Sequence, residues 1–204
     1  MAPVLVWING PFGGGKTQTA FELHRRLPGS IVSDPELIGF GIHRMLPRGM
    51  RRDFQEFPAW RTGVREVLDH LLRAHAETDQ VIIVPMTLVV GDYFEEIIGK
   101  LRAEGHDVRH FALLARPETV RRRLRSRGTP LLRADSWALS QVDRCLNALA
   151  DKRFAEHLYT DELPIPQVAD RIAAGIGRTL LPASGSFRNL VERAKTGIRH
   201  IRLG

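Results

Sequence analysis

The chain has a single cysteine, Cys145, so it cannot close a disulfide within itself or build a metal site from thiolates. Cys145 stands in the middle of a helical pattern and is read as a packing residue. Long apolar runs are missing as well, and nothing approaches the roughly 18 residues that a membrane-spanning helix requires. The first residues have neither the basic nor the apolar region of a secretion signal, so a cytoplasmic protein is expected. With 204 residues there is room for one α/β domain with a full core, and too little chain for two of ordinary size.

Evenly spread positive charge is absent too. The net charge is +7, yet residues 116–133 hold seven arginines against Glu118, and residues 186–204 hold four arginines and Lys195 against Glu192. Those two segments contribute +6 and +4, which leaves −3 for the rest of the chain. A mildly acidic body with two basic segments is not built around a polyanion, and no nucleic-acid partner is expected.

What the sequence does have is Gly10, Pro11, Phe12, Gly13, Gly14, Gly15, Lys16 and Thr17 in succession, which satisfies G-x-x-x-x-G-K-[ST]. The stretch follows an apolar run, Val4 to Ile8, that reads as a strand buried on both faces. It leads into a helix beginning at Lys16. Consecutive glycines at 13 to 15 are expected to take positive φ and turn backbone N–H groups inward to hold phosphate. Lys16 can reach the β and γ phosphates, Thr17 can ligate Mg²⁺, and Gln18 lies next to both at the helix start. The expected cofactors are therefore ATP and Mg²⁺.

Downstream, Ile31 and Val32 form a short second strand that ends at Asp34-Pro35. Ligands collect outside the carboxyl ends of parallel strands, so Asp34 should face the same crevice and position an acceptor hydroxyl or hold metal-bound water. The competing reading of Asp34 is a turn or cap ahead of a helix near Leu37 to Leu46. Residues Pro47 to Pro58 are irregular, and a helix resumes from Ala59. Phe54, Phe57 and Trp60 are candidates to line an acceptor pocket, with Arg44 and Arg61 for an anion. Ordinary core packing is the alternative for the aromatics.

Val81 to Val84 is the third strand, and Pro85, Met86 and Thr87 follow it. Many P-loop enzymes place a metal-binding acid there. Here Pro85 stands in that place, so either Asp34 joins the Mg²⁺ shell or Thr17, phosphates and water hold the metal; Asp92 better suits a helix start. Met86 and Thr87 are counted with the substrate site. A helix over Tyr93 to Leu101, a fourth strand over Val108 to Leu114, a helix opened by Pro117 and a helix over Ser136 to Leu149 follow. The arginine-rich stretch, about 116–136, reads as a lid that neutralises transferred phosphate, or as a solvated helix face or an RNA-binding patch. Arg123 and Arg127 share one face and Arg121 and Arg125 another. Arg144, held by Asp143, is a further candidate. Leu158 to Asp161 is the fifth strand and Gln167 to Ile176 a helix, which completes a domain over 1–176.

Gly175 to Gly185 reads as a linker. In 186–204, Phe187, Leu190, Val191, Ala194, Ile198 and Ile201 recur at helical intervals among basic residues. Such a basic amphipathic helix either lies on an anionic membrane surface, which would put the protein on the inner face of the cell membrane, or packs on the domain or a second copy. The sequence leaves the oligomeric state open.

On these residues the chain resembles the ATP-binding tunicamycin-resistance protein family, within the wider P-loop kinases that include nucleoside monophosphate, shikimate and gluconate kinases. The matching stretches are Trp7 to Gly13, Lys16 to Leu23, Asp34-Pro35-Glu36, Asp53-Phe54-Gln55, Trp60-Arg61, Ile83 to Thr87 and Asp143-Arg144-Cys145. The resemblance implies a five-stranded parallel sheet of order 2-3-1-4-5, ATP and Mg²⁺ binding, protection against the uracil nucleoside tunicamycin, and a membrane-associated tail. Two functions are therefore expected in competition. One is a small-molecule kinase acting on tunicamycin or a related nucleoside; the other is an ATP-dependent drug-binding protein that sequesters without phosphotransfer.

Overall fold

The computed structural model describes residues 2–126 and 133–183, with only the backbone at 133–135. Five parallel strands form one sheet in the order β2-β3-β1-β4-β5. They are β1 (Val4–Asn9), β2 (Ile31–Val32), β3 (Val81–Pro85), β4 (Asp107–Leu114) and β5 (His157–Tyr159). The register runs Val4↔Val81 through Ile8↔Pro85 on one side of β1 and Val4↔Asp107 through Asn9↔Ala112 on the other.

Every residue of β1 and β3 is buried, because helices cover both faces of the sheet. Side chains alternate along a strand, so the continuous apolar run of β1 feeds two cores. Leu5 and Trp7 pack with Ile82, Val84 and the helix α3 residues Trp60, Val64 and Leu68, α3 being Pro58–Ala74. Val4, Val6 and Ile8 pack on the opposite face with Ala20 and Leu23 of α1 (Lys16–Arg26) and with Val168 and Ile172. At roughly 25 cal/mol per Å² of apolar surface removed from water, these two layers carry the fold.

Between β1 and β3 lie α1, α2 (Glu36–Met45), two 3-10 turns at Arg48–Met50 and Phe54–Glu56, and α3. The expected helix over 93–101 is α4 (Gly91–Phe94), a π-helical turn over Glu95–Gly99 and α5 (Lys100–Ala103). After β4 comes α6 (Pro117–Arg125), opened by Pro117 as expected. The single helix expected over 136–149 is two, α7 (Arg133–Ser140) and α8 (Val142–Leu149), broken at Gln141. There the Gln141 amide is shared between the carbonyls of Trp137 at 3.2 Å and Ala138 at 3.3 Å, which tightens the turn. The last described helix, α9 (Ile165–Gly175), begins earlier than read because Pro164 caps it in extended conformation.

The expected linker after Gly175 is partly tied down. Leu181 donates its amide to Arg26 O at 2.9 Å, and Arg26 Nε returns a bond to Leu181 O at 2.7 Å. Arg26 also pairs with Asp170 of α9 at 2.7 Å. The amphipathic segment 186–204 and the lid tip with Arg127 lie outside the described residues. No helix among the described residues is long and apolar enough to cross a membrane.

Candidate nucleotide and acceptor site

The P-loop leaves β1 at Asn9 and closes on the first turn of α1. Gly13 and Gly15 take φ of 79° and 91°, the left-handed region where a side chain is strained. Gly14 does not share this conformation, contrary to the expectation for three glycines in a row. It is small for another reason: its amide donates to Pro11 O at 2.9 Å, and a Cβ would meet that oxygen at 2.9 Å. A Cβ on Gly13 would strike the side chain of Leu124 in α6 at 2.7 Å, so the lid-side helix packs directly on the loop. Lys16 is buried, and its Nζ donates to Pro11 O at 3.1 Å, 5.6 Å from the centre of the Phe12 ring. Phe12 meets Trp137 of α7 edge to face at 5.0 Å. Thr17 is half-buried and Gln18 exposed at the start of α1.

The segment after β3 braces the loop. Thr87 Oγ1 donates to Gly10 O at 2.9 Å. Asn9 Oδ1 accepts the amides of Gly10 at 2.8 Å and Leu88 at 2.9 Å, while its Nδ2 donates to Leu88 O at 2.7 Å. Thr87 O in turn accepts from Gln55 Nε2 at 3.0 Å, and Gln55 O from Arg61 Nη1 at 2.6 Å. Arg61 then pairs with Glu96 at 2.7 Å and lies over the Tyr93 ring at 4.3 Å. The place where many relatives of this architecture present an acid is thus taken by Pro85, paired with Ile8, followed by a clasp on the loop.

Behind the loop, Asn9 Nδ2 also lies 3.1 Å from Nε2 of His110 on β4. A donor faces that nitrogen, so it must accept, and the ring proton sits on Nδ1, directed at Ala155 O at 3.2 Å. Burial between the rings of Phe94 and Phe154 pushes the His110 pKa down to about 4, and the positive charges of Arg102 and His157 act in the same direction.

Asp34 stands at the end of β2, two strands from the loop and so about 10 Å across the sheet. Its Oδ1 accepts from Glu36 N at 3.0 Å, which caps the start of α2.

The other expected residues divide into two groups. Trp60 is fully buried, donates from Nε1 to Pro35 O at 3.0 Å and packs beside Phe54, so it supports the turn carrying Asp34 from behind. Met86 is buried and accepts from Trp7 Nε1 at 3.2 Å through its carbonyl. Arg61 is committed to Glu96 and Gln55, an internal brace in place of the anion contact expected of it. Phe57 is half-buried under the Arg52 guanidinium at 4.7 Å, and Arg44 is exposed in the last turn of α2. Arg123 donates to Thr160 Oγ1 at 3.1 Å and to Thr160 O at 2.5 Å, a pinned cation in place of a swinging one; burial pulls its pKa below the usual arginine range. Arg144 is exposed and donates to Gln141 Oε1 at 3.0 Å. Asp143 pairs at 2.5 Å with Arg121 and not with Arg144, because α6 and α8 lie side by side.

Elsewhere, Asp69, Glu104 and His106 gather ligand atoms within 4.8 Å of one another at the far end of the sheet. Arg73 and Arg65 already bond Asp69 at 2.8 Å and Glu104 at 2.9 Å, so the cluster reads as an ion-pair network joining α3 to the start of β4.

Residues 5–154 match the family model described as an AAA domain. The Deinococcus radiodurans tunicamycin resistance protein is 37% identical, over 89% of this chain and 99% of that one, with a TM-score of 0.73. The chain belongs to this family of P-loop proteins. Membership in the tunicamycin-resistance family implies ATP binding. The fold is that of P-loop small-molecule kinases. A sugar kinase from Janibacter sp. is 17% identical over 87% of this chain and 95% of its own, with a TM-score of 0.60. Shikimate kinase from Bacteroides thetaiotaomicron is 19% identical over 85% and 98%, with a TM-score of 0.54. None of the curated proteins matches the chain.

Proposed function

We propose that the protein transfers the γ-phosphoryl group of ATP to a hydroxyl of tunicamycin or a related nucleoside-type molecule. The reading is supported by a glycine-lined, lysine-bearing loop at the end of β1 and a carboxylate, Asp34, just past the end of β2, both on the carboxyl edge of the same parallel sheet. Phosphoryl transfer asks the protein chiefly for positioning and charge stabilisation. Lys16 exchanges Pro11 O for phosphate oxygens, and the backbone N–H groups of Gly13, Gly15 and Lys16 hold the remaining charge. Asp34 orients the acceptor hydroxyl and takes its proton as the new P–O bond forms and ADP departs. Arg123, fixed by Thr160, offers a preset positive field, with Arg127 and Arg144 as additional lid cations.

The donor set suits Mg²⁺: the Thr17 hydroxyl is a hard oxygen ligand, and this ion keeps most of its waters and would take its other oxygens from the nucleotide phosphates. When bound it would neutralise phosphate charge. Incubation with Mg-ATP and tunicamycin should yield a drug species heavier by one phosphoryl group, and its absence by mass spectrometry removes the reading.

The second reading, ATP-dependent drug sequestration, is favoured by Pro85 in the place of a metal-linked acid. It predicts protection that is stoichiometric with protein and indifferent to Asp34→Asn. Under either reading, residues 1–176 form the working domain. The basic periodic segment 186–204 is its candidate contact with an anionic membrane surface.

A further inference from the structure

Asp34 lies just beyond the paired residues of its strand. Pairing of β2 with β3 covers Ile31 and Val32, and Ser33 adds one bond from its amide to Ile83 O at 2.9 Å. From there the carboxylate is carried at the start of α2, which Trp60 Nε1 holds through Pro35 O at 3.0 Å. The 3-10 turn at Phe54–Glu56 is fastened to the same body. Its Phe54 ring fills the space that a Cβ of Gly39 would need, and it meets the rings of His43 at 5.6 Å and Trp60 at 5.5 Å. His43 Nε2 also lies 2.8 Å from Arg52 O, just ahead of the turn.

A buried chain of hydrogen bonds runs from this turn to the P-loop. The backbone of Gln55 is fixed on both sides, its amide donating to Asp53 Oδ1 at 3.0 Å and its carbonyl accepting from Arg61 Nη1 at 2.6 Å. Its side chain is buried and donates from Nε2 to Thr87 O at 3.0 Å. A carbonyl can only accept, so the amino group of the Gln55 amide must face it. Thr87, buried as well, passes the connection on from Oγ1 to Gly10 O at 2.9 Å, at the first residue of the loop.

We infer that Gln55 is a positioning residue: through Thr87 it acts as a strut that sets the separation between the phosphate loop and the Asp34 carboxylate. The inference rests on the reading of Asp34 as the acceptor-side residue. A two-residue strand gives α2 little hold on the sheet, so the turn and α2 could swing away from β1 as one body. The strut opposes that motion, because opening it would leave a buried amide and a buried carbonyl without partners. Phosphoryl transfer depends on alignment, and a misplacement of about 1 Å is enough to slow it by about 10²-fold.

The test uses the full-length protein, Mg²⁺ and a non-hydrolysable ATP analogue, with amide hydrogen exchange followed by mass spectrometry. Binding should slow exchange by about three- to tenfold, the worth of one net hydrogen bond, at residues 36–40 and 56–61 as well as in the loop. Gln55→Met, close in shape but without a donor, should confine the slowing to the loop and leave affinity for the analogue unchanged. A residue that only stabilised the fold would instead raise exchange equally with and without nucleotide. No slowing at 36–40 and 56–61 in the unaltered protein, or slowing that Gln55→Met leaves intact, overturns the inference. Should that variant fail to fold, Thr87→Val breaks the strut one bond nearer the loop and must abolish the slowing at 56–61; if it does not, the inference falls. Phosphotransfer from Mg-ATP to tunicamycin is scored separately, and in Gln55→Met it should drop by about 10²-fold at saturating nucleotide with the KM for ATP unchanged. Coupled exchange in a protein that phosphorylates nothing would remove the kinase reading and leave the strut standing; undiminished phosphotransfer in Gln55→Met would do the reverse.

Discussion

Asn9 Nδ2 and His110 Nε2, 3.1 Å apart, join the last residue of β1 to the middle of β4 directly beneath the P-loop. The contact requires a neutral imidazole. In the unfolded chain the same histidine titrates near 6.5, whereas in the fold its pKa is about 4. The native state therefore binds fewer protons between these values, and stability falls as pH drops through that window. From pH 7 to pH 4 the loss should reach about 3 kcal/mol, with nothing further from this group at lower pH. Urea midpoints across pH 4 to 7 measure it, and His110→Gln should flatten the slope in this window even if it lowers the midpoint throughout.

Two glycines with positive φ, Gly13 in the loop and Gly105 between α5 and β4, should separate by mechanism. Gly13 and Gly105 both have positive φ, 79° and 92°, but only at Gly13 does a neighbour crowd the missing side chain. Gly105→Ala should cost about 1 kcal/mol in thermal stability and leave ATP affinity unchanged. Gly13→Ala should cost more and abolish ATP binding, because Leu124 and the loop cannot both keep their places. Calorimetric titration of the two variants decides the point.

Asp34→Asn keeps an oxygen that can cap Glu36, so the protein should fold with a melting temperature close to that of the parent. Phosphotransfer should drop by about 10²-fold or more with ATP binding retained, since the amide cannot accept the hydroxyl proton. Undiminished turnover in this variant would show that another group positions the acceptor.

Arg61 is expected to matter for stability. Replacing it with Met strands Gln55 O and Glu96 and should cost about 2 kcal/mol by denaturant titration. Added inorganic phosphate should not rescue the native protein's stability further, because the guanidinium has no posture left for an anion.

Trp7 and Trp60 are fully buried, while Trp137 is 49% exposed and touches Phe12. Emission from Trp137 should therefore shift when Mg-ATP draws Lys16 away from Pro11 O. Trp137→Phe should lose that shift, and Lys16→Ala should lose it together with nucleotide binding.

Much of this architecture is written locally. The apolar runs of β1 and β3 are continuous because both faces are covered, and Pro117 opens its helix where it was expected to. The break at Gln141 and the π-helical turn at Glu95–Gly99 carry no Gly or Pro signal of that kind, since Gly99 sits at the end of its turn. At the site, the loop and Asp34 are legible because short motifs and strand ends specify them. Arg61, Thr87 and Trp60 look like pocket residues in sequence because their partners, Glu96, Gly10 and Pro35, lie 25 to 77 positions away. Asn9 did leave a trace: it is a polar residue in an otherwise apolar buried strand, and such a residue must find a partner, whereas His110 follows the exposed Asp107 and Arg109 of β4 and reads as one more polar position.

The clasp between Leu181 and Arg26 lies where α1 ends and the chain turns into β2, at the edge of the sheet remote from the loop glycines. A bead or fusion partner attached at Leu181 would thus sit at the end of α1 opposite the loop glycines.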